Sequence, residues 1–348
     1  MPAVKHAVFK LSLAVLCGLS TAQAVEIQGT GSSAAAPLYV KWAGALQKNG
    51  HSLKYDAAGS ERGLAAVKAN QSHFGATDVL PPAAELNKAG LVAFPIAVTA
   101  VVPVINLPGV KGGQLKLNGD VLAQIFSGKI TDWNDPAIAA LNNGERLPSK
   151  SIKLVVRADG SGTTFALSEY LAATNKDWKA GMGTGFSLKW PAGVQAVKGG
   201  QALASAVKNT EGAIGYVDFG HVADQSLADV KLGNAEGKFI KVTPAAITDA
   251  VMNSNWASKG DFDDKLINKT GAGTWPIVTG TFAVLPKVVD KAAGNTVAEL
   301  FVRGFMSGDA AVSSLSLVRL PDQIKGKATN AIATVRDKAG QPLSISYF

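Results

Sequence analysis

Arg157-Ala158-Asp159-Gly160-Ser161-Gly162-Thr163-Thr164-Phe165 is the stretch on which the reading of this chain turns. It ends an apolar run, Ile152 to Arg157, that reads as a strand, and it leads into a helical pattern carried by Phe165, Leu167 and Leu171. A strand feeding a helix through a Gly-rich turn is the unit of α/β folds, which place ligands at the carboxyl ends of their strands. Arg157 stands at that end, and its planar guanidinium matches two oxygens of a tetrahedral oxyanion. Asp159, two residues on, is spaced to hold that fork. Ser161, Gly162 and Thr163 offer hydroxyl and backbone donors at a helix start, where unpaired N–H groups and the helix dipole favour an anion. The plainer alternative is a surface Arg–Asp pair followed by an ordinary capped helix.

Two earlier turns repeat the design. Val25 to Gln28 reads as a strand running into Gly29-Thr30-Gly31-Ser32-Ser33, and Leu53 to Tyr55 as a strand followed by Gly59-Ser60. Each Ser taken alone is an N-cap. Three such turns in one chain, one of them beside an Arg, point to a shared anion site. Phe74-Gly75-Ala76-Thr77-Asp78 adds a lone carboxylate after a further strand, His73 to Ala76. An ionised Asp repels a bound dianion unless the ligand carries a proton to donate. Phosphate keeps one near neutral pH and sulfate does not, so Asp78 would separate the two. Its plainer role is to cap the segment after Pro81.

The remaining pattern alternates short strands with helices. Pro37 to Gln47 places Leu38, Trp42 and Leu46 at helical spacing, and Leu91 to Val104 is a long apolar run. Asp120 is expected to cap a helix through Ile125 and Phe126 that stops at Gly128. Ala213 to Phe219 and Pro276 to Val284 read as strands, and a terminal helix is expected from Asn295 to Met306. The rhythm predicts parallel sheets with helices on both faces, and no 20–50-residue repeat suggests a solenoid.

With 348 residues, 47% of them apolar and 17% charged, the chain suits two globular domains and excludes wholesale disorder. Lys5 and Lys10, the apolar run Leu11 to Leu19 and Ala22-Gln23-Ala24 read as a secretory leader cut after Ala24. Its removal takes away two Lys and the only cysteine, Cys17, and lowers the formal charge from +8 to +6. No later apolar run reaches the length of a membrane span.

Other chemistries lack their residues. Gly29-x-Gly31-x-x-Ala34 imitates a dinucleotide fingerprint only weakly. Around Ser161 the flanking Asp159 and Thr163 deny the Gly-x-Ser-x-Gly elbow of a serine hydrolase. His51, His73 and His221 show no paired metal-ligand spacing. No basic run interleaved with aromatics points to nucleic acid. The expectation is a non-enzyme without a cofactor.

The motifs resemble the periplasmic phosphate-binding proteins of the phosphate-specific ABC transport system, type II periplasmic solute-binding proteins. The resemblance runs from about Glu26 to Phe348. Besides Arg157 to Phe165 it rests on Gly29 to Ser33 with Pro37-Leu38-Tyr39, and on Phe74 to Asp78. Phe126-Ser127-Gly128-Lys129-Ile130 with Trp133, Gly212 to Val217 and Trp275-Pro276-Ile277 continue it. It implies an α/β fold in two domains, each a mostly parallel sheet flanked by helices, joined by two hinge crossings. Domain I would be 25–97 plus 276–348, and domain II 98–275. Phosphate would meet Ser33, the backbone of Ala34, Ser60, Asp78, Arg157, Ser161, Gly162 and Thr163, with Asp159 steadying Arg157. The protein would be an exported, periplasmic monomer delivering phosphate to an inner-membrane ABC permease and its ATPase. The chain departs from the family's pattern at Ser33-Ala34, where an apolar wall is lost, and at Glu61-Arg62. Arg62 is either an extra donor or a solvated side chain. An exported phosphate-ester hydrolase and a binder of arsenate or a phosphonate are the competing readings.

Overall fold

The structure is a computed structural model and describes residues 24–344. The expected leader and its cleavage signal therefore lie almost wholly outside the described residues. Nine strands form one curled sheet: β1 (Glu26–Gly31), β2 (Ser52–Asp56), β3 (Phe74–Thr77), β4 (Leu91–Asn106), β5 (Lys153–Arg157), β6 (Gln195–Val197), β7 (Ala213–Asp218), β8 (Ala228–Asp229) and β9 (Val278–Pro286). Their order is β2-β1-β3-β9-β4-β7-β5-β6, with β8 also on β4.

The outer parts follow the expected parallel pattern: β1 pairs in parallel with β2 and β3, and β5 with β6 and β7. The centre is antiparallel, because β4 and β9 run against their neighbours. The reason lies in β4. Its sixteen residues are almost all buried, which is what a strand covered on both faces requires. Leu91 to Ala100 pairs with β9, and from Val101 to Asn106 the same strand pairs with β7. One strand thus serves both halves, changing partner between Ala100 and Val101. The register against β9 slips by one residue between Thr281 and Phe282, opposite Ala97 and Pro95. Pro95 has no N–H to give the ladder, and a bulge is where a sheet interior tolerates proline.

Each half has its own aromatic centre. In the first, Tyr39, Phe74, Phe94 and Phe301 meet edge to face or tilted, with centroids 5.1–5.3 Å apart. In the second, Phe126 lies 5.7 Å from Tyr216 and 6.0 Å from Trp190. Trp275, fully buried, donates its indole N–H to Val101 O at 3.0 Å, beside the point where β4 changes partner.

Three helical expectations are corrected. The stretch from Pro37 is an α-helix only over Ala36–Ala43, with a 3-10 turn at Leu46–Asn49. Asn118, not Asp120, caps the helix Gly119–Phe126, accepting from the Val121 N–H at 2.9 Å. The helix expected at Asn295–Met306 spans Lys291–Ser307 and is not terminal, since Asp309–Ser314 and Asp322–Ala333 follow. Among the described residues no helix is long and apolar enough to cross a membrane.

Candidate functional site

The turns after β1, β2, β3 and β5 lie at carboxyl ends of strands, and the fold brings them to one place. At its centre is Asp78, 4% exposed. The Ser32 hydroxyl lies 2.7 Å from Asp78 Oδ1 and 2.8 Å from Oδ2. The Ser60 hydroxyl lies 3.3 Å from Oδ2 and accepts from the Asp78 N–H at 3.1 Å. Thr279 Oγ1 donates to the Asp78 carbonyl at 2.7 Å. Asp78 does not cap the next helix, because Ala83–Lys88 has Pro82 at its N-cap. Burial pushes the Asp78 carboxyl up; the Ser32 and Ser60 hydroxyls offset part of this, and nearby Asp218 adds to it. Thr281, on β9, is near this carboxylate, and its buried hydroxyl is outside good hydrogen-bonding geometry.

Arg157 ends β5 in the other half, and its partner Asp159 lies against Gly59 of the turn after β2. Arg157 is 5% exposed. Its Nε donates to Asp159 Oδ1 at 2.7 Å and its Nη2 to Asp159 Oδ2. Asp159 also accepts from the Gly199 N–H at 2.9 Å. Burial pushes the Asp159 carboxyl up, but the Arg157 guanidinium and the Gly199 N–H outweigh it and hold it below the usual range. Since Asp159 takes the Nε–Nη2 side of the fork, an anion is left the end-on edge, Nη1 and the second Nη2 hydrogen. The charge of Arg157 is thereby largely balanced. Attraction for an anion falls to N–H groups, hydroxyls and the helix dipole. Tyr216 fixes the backbone here: its hydroxyl accepts from the Arg157 N–H at 3.2 Å and lies 2.7 Å from Thr164 Oγ1. Burial pushes the Tyr216 hydroxyl up to about 12, so it stays protonated.

Ser161 caps the helix Gly162–Thr174, its hydroxyl oxygen accepting from the Thr164 N–H at 3.2 Å. Capping does not conflict with the expected role, because the hydroxyl keeps its proton to donate. The Glu61 N–H donates to Gly160 O at 3.1 Å, joining the turns after β2 and β5. A Cβ on Gly59, whose φ is +96°, would lie 2.7 Å from both Asp159 Oδ2 and Gly160 O.

The expected residues are placed as follows. Ser60, Asp78, Arg157, Ser161, Gly162 and Thr163 are all buried in this cluster. Ser33 and Ala34 lie in the turn before the helix Ala36–Ala43; Ala34 is buried and Ser33 half-buried. That turn is thus not itself a capped helix start, since Ala35 holds the N-cap without a side-chain bond. Arg62 is exposed on the helix Ser60–Lys68. Ser32 lies in the turn the sequence singles out, but the expected contact is its neighbour Ser33, and only the direction of the side chain separates two residues of one type. Tyr216 carried no local signal, being one apolar-looking position of a buried strand.

A family model described as PBP superfamily domain matches residues 19–303. The phosphate-binding protein PstS of Pasteurella multocida is 39% identical over 87% of this chain and 89% of its own length. A crystal structure of a putative phosphate ABC transporter substrate-binding protein with bound phosphate, from Clostridium perfringens, superposes with a TM-score of 0.61 at 20% identity, covering 85% of this chain and all of that one. A high affinity periplasmic phosphate-binding protein, PfluDING, bound with phosphate, gives a TM-score of 0.67 at 20% identity over 88% of this chain and 93% of its own. These structural likenesses show the two-domain α/β fold.

Proposed function

This chain belongs to the PstS phosphate-binding proteins of the PBP superfamily, and from that membership we propose how its own residues bind inorganic phosphate for an ABC importer. The observation that carries the reading is the convergence of Asp78, Ser60 and Gly162 from two sides of the molecule, backed by Arg157 and Asp159.

Phosphate sits between the halves. The end-on edge of Arg157 and the helix-start N–H groups of Gly162 and Thr163 face its oxygens, with the hydroxyls of Ser33, Ser60 and Ser161 and the Ala34 N–H completing the set. Asp78 accepts the proton that phosphate carries. Sulfate would put an unprotonated oxygen against a buried carboxylate. Residues 25–97 with 276–348 move against 98–275 about the β4 partner change and the start of β9. Ligand contacts with both halves favour the closed arrangement, because an open one forfeits half of them. The protein works as a periplasmic monomer after loss of residues 1–24 and hands phosphate to its permease.

We read the site as a binding site and not a catalytic one. The Ser161 hydroxyl oxygen is engaged as a helix cap, and among the described residues no histidine hydrogen-bonds to the hydroxyl of Ser32, Ser60 or Ser161. A serine nucleophile needs such a base. Calorimetry on refolded, phosphate-stripped protein tests the reading: phosphate binds tightly and sulfate does not. Equal affinities would remove the role of Asp78. Turnover of a chromogenic phosphate ester that is lost in Ser161→Ala would favour a hydrolase instead.

A further inference from the structure

Ser32 stands outside the set of expected binding residues, yet it makes the shortest contacts to the Asp78 carboxylate. A hydroxyl 2.7 Å from one carboxylate oxygen and 2.8 Å from the other lies close to the bisector of the group. It therefore defines how the carboxylate is turned. Oδ2 is shared with Ser60, while Oδ1 meets Ser32 alone among the hydroxyl donors in hydrogen-bonding geometry. The hydroxyl stands on a fixed backbone. The Ser32 N–H donates to Ala76 O at 3.0 Å, and Tyr55 Oη donates to Ser32 O at 2.8 Å. Gly31, before it, has φ +138°, and a Cβ there would lie 2.0 Å from Ala76 O.

We propose that Ser32 is a positioning residue: it holds the Asp78 carboxylate as an oriented acceptor, and so sets how sharply the site separates a protonated oxyanion from a proton-free one of the same shape. The inference rests on Asp78 accepting the ligand's proton.

The reasoning is electrostatic. Asp78 is buried, which favours its neutral form, and a donated hydrogen bond favours the charged form. The Ser60 hydroxyl at 3.3 Å and the nearby Thr281 also favour the charged form, but the titratable and charged groups around it give little help. Asp218, from the end of β7, is a like charge. Tyr39 and Tyr55 are held neutral by burial. Arg157 is already engaged by Asp159. Without Ser32 the carboxyl would take up a proton more readily. A neutral Asp78 donates where it should accept, and then suits sulfate as well as phosphate.

The test is calorimetry of stripped Ser32→Ala, Ser32→Thr and Asp78→Asn with phosphate and with sulfate from pH 6 to 8.5. In Ser32→Ala, phosphate affinity falls by about tenfold at the acid end and less at the alkaline end, and the preference over sulfate drops by a similar factor. Ser32→Thr, which keeps the hydroxyl, restores both. Ser32→Cys, close in volume and a weak donor, carries the same expectation as Ala should that variant fail to fold. A loss uniform in pH with the preference intact would make Ser32 merely structural and overturn the proposal. If Asp78→Asn abolishes the preference while Ser32→Ala keeps it, the proposal alone falls. If Asp78→Asn keeps the preference, the acceptor role of Asp78 falls with it.

Discussion

Gly162 lies against Ser60 across the junction of the two halves, so close that a methyl group on its Cα would stand 2.5 Å from the Ser60 hydroxyl and 2.7 Å from Asp78 Cβ. Nothing larger than hydrogen fits there while the halves are together. Gly162→Ala therefore keeps the fold, since alanine suits a helix start, but props the halves apart. Phosphate affinity is expected to fall by at least about tenfold, because the closed state must be shifted by a kilocalorie or more. Titration calorimetry measures the affinity, and small-angle scattering the failure to compact on adding phosphate. Unchanged affinity would show that the halves need not meet here.

Arg157→Ala removes a buried charge and leaves Asp159 without its partner. For the binding step, losing a buried charged contact to the anion costs roughly 2–5 kcal/mol, which corresponds to a loss of about 30-fold to several thousand-fold in affinity. Arg157→Lys is expected to rescue little, because a point charge cannot hold Asp159 and present an end-on edge together. A variant that binds phosphate as tightly as the parent would place the anion elsewhere.

Phe301 is fully buried and meets Tyr39, Phe74 and Phe94 at 5.1–6.0 Å. Phe301→Ala opens a cavity at the centre of the first half, with an expected loss of roughly 3–5 kcal/mol in unfolding free energy. Denaturant titration checks it. A loss below about 1 kcal/mol would mean that the cluster collapses around the gap.

His221 Nδ1 lies 2.8 Å from Asp218 Oδ2, and both side chains are buried. Burial pushes the imidazole down, but the Asp218 carboxylate outweighs it and holds the net value above the usual one. A group raised in the folded state stabilises fully below its unfolded pKa, about 6.5, and loses that contribution as pH rises through the folded value. His221→Gln should thus cost more at pH 6 than at pH 9, and flatten stability against pH in between. Thermal unfolding of both proteins across that range measures it. A cost that does not vary with pH would mean that His221 is neutral throughout.

How much of this was legible depended on whether a signal was local. The turn at Gly160 to Thr163 declared itself, because Gly, a hydroxyl and a following helix are read within a few residues. Arg157 and Asp159 were legible for the same reason: two residues apart, they could be paired on spacing alone. The Asn118 cap was missed for Asp120, since both types cap helices and only the backbone decides which stands outside the first turn. The end-on use of Arg157 was not legible, because which side of the fork an aspartate takes is set by side-chain torsions.

Periodicity and turn chemistry by themselves determined an α/β chain with Gly- and hydroxyl-rich turns at strand ends, because each of those signals spans fewer than a dozen residues. Tertiary structure alone decided the rest. It made β4 one strand with two partners, turned Ser32 rather than Ser33 onto Asp78, and set Gly162 against Ser60. These relationships join residues between 46 and 195 positions apart, or depend on which way one side chain points. Packing fixes such choices, and a linear pattern carries no term for them.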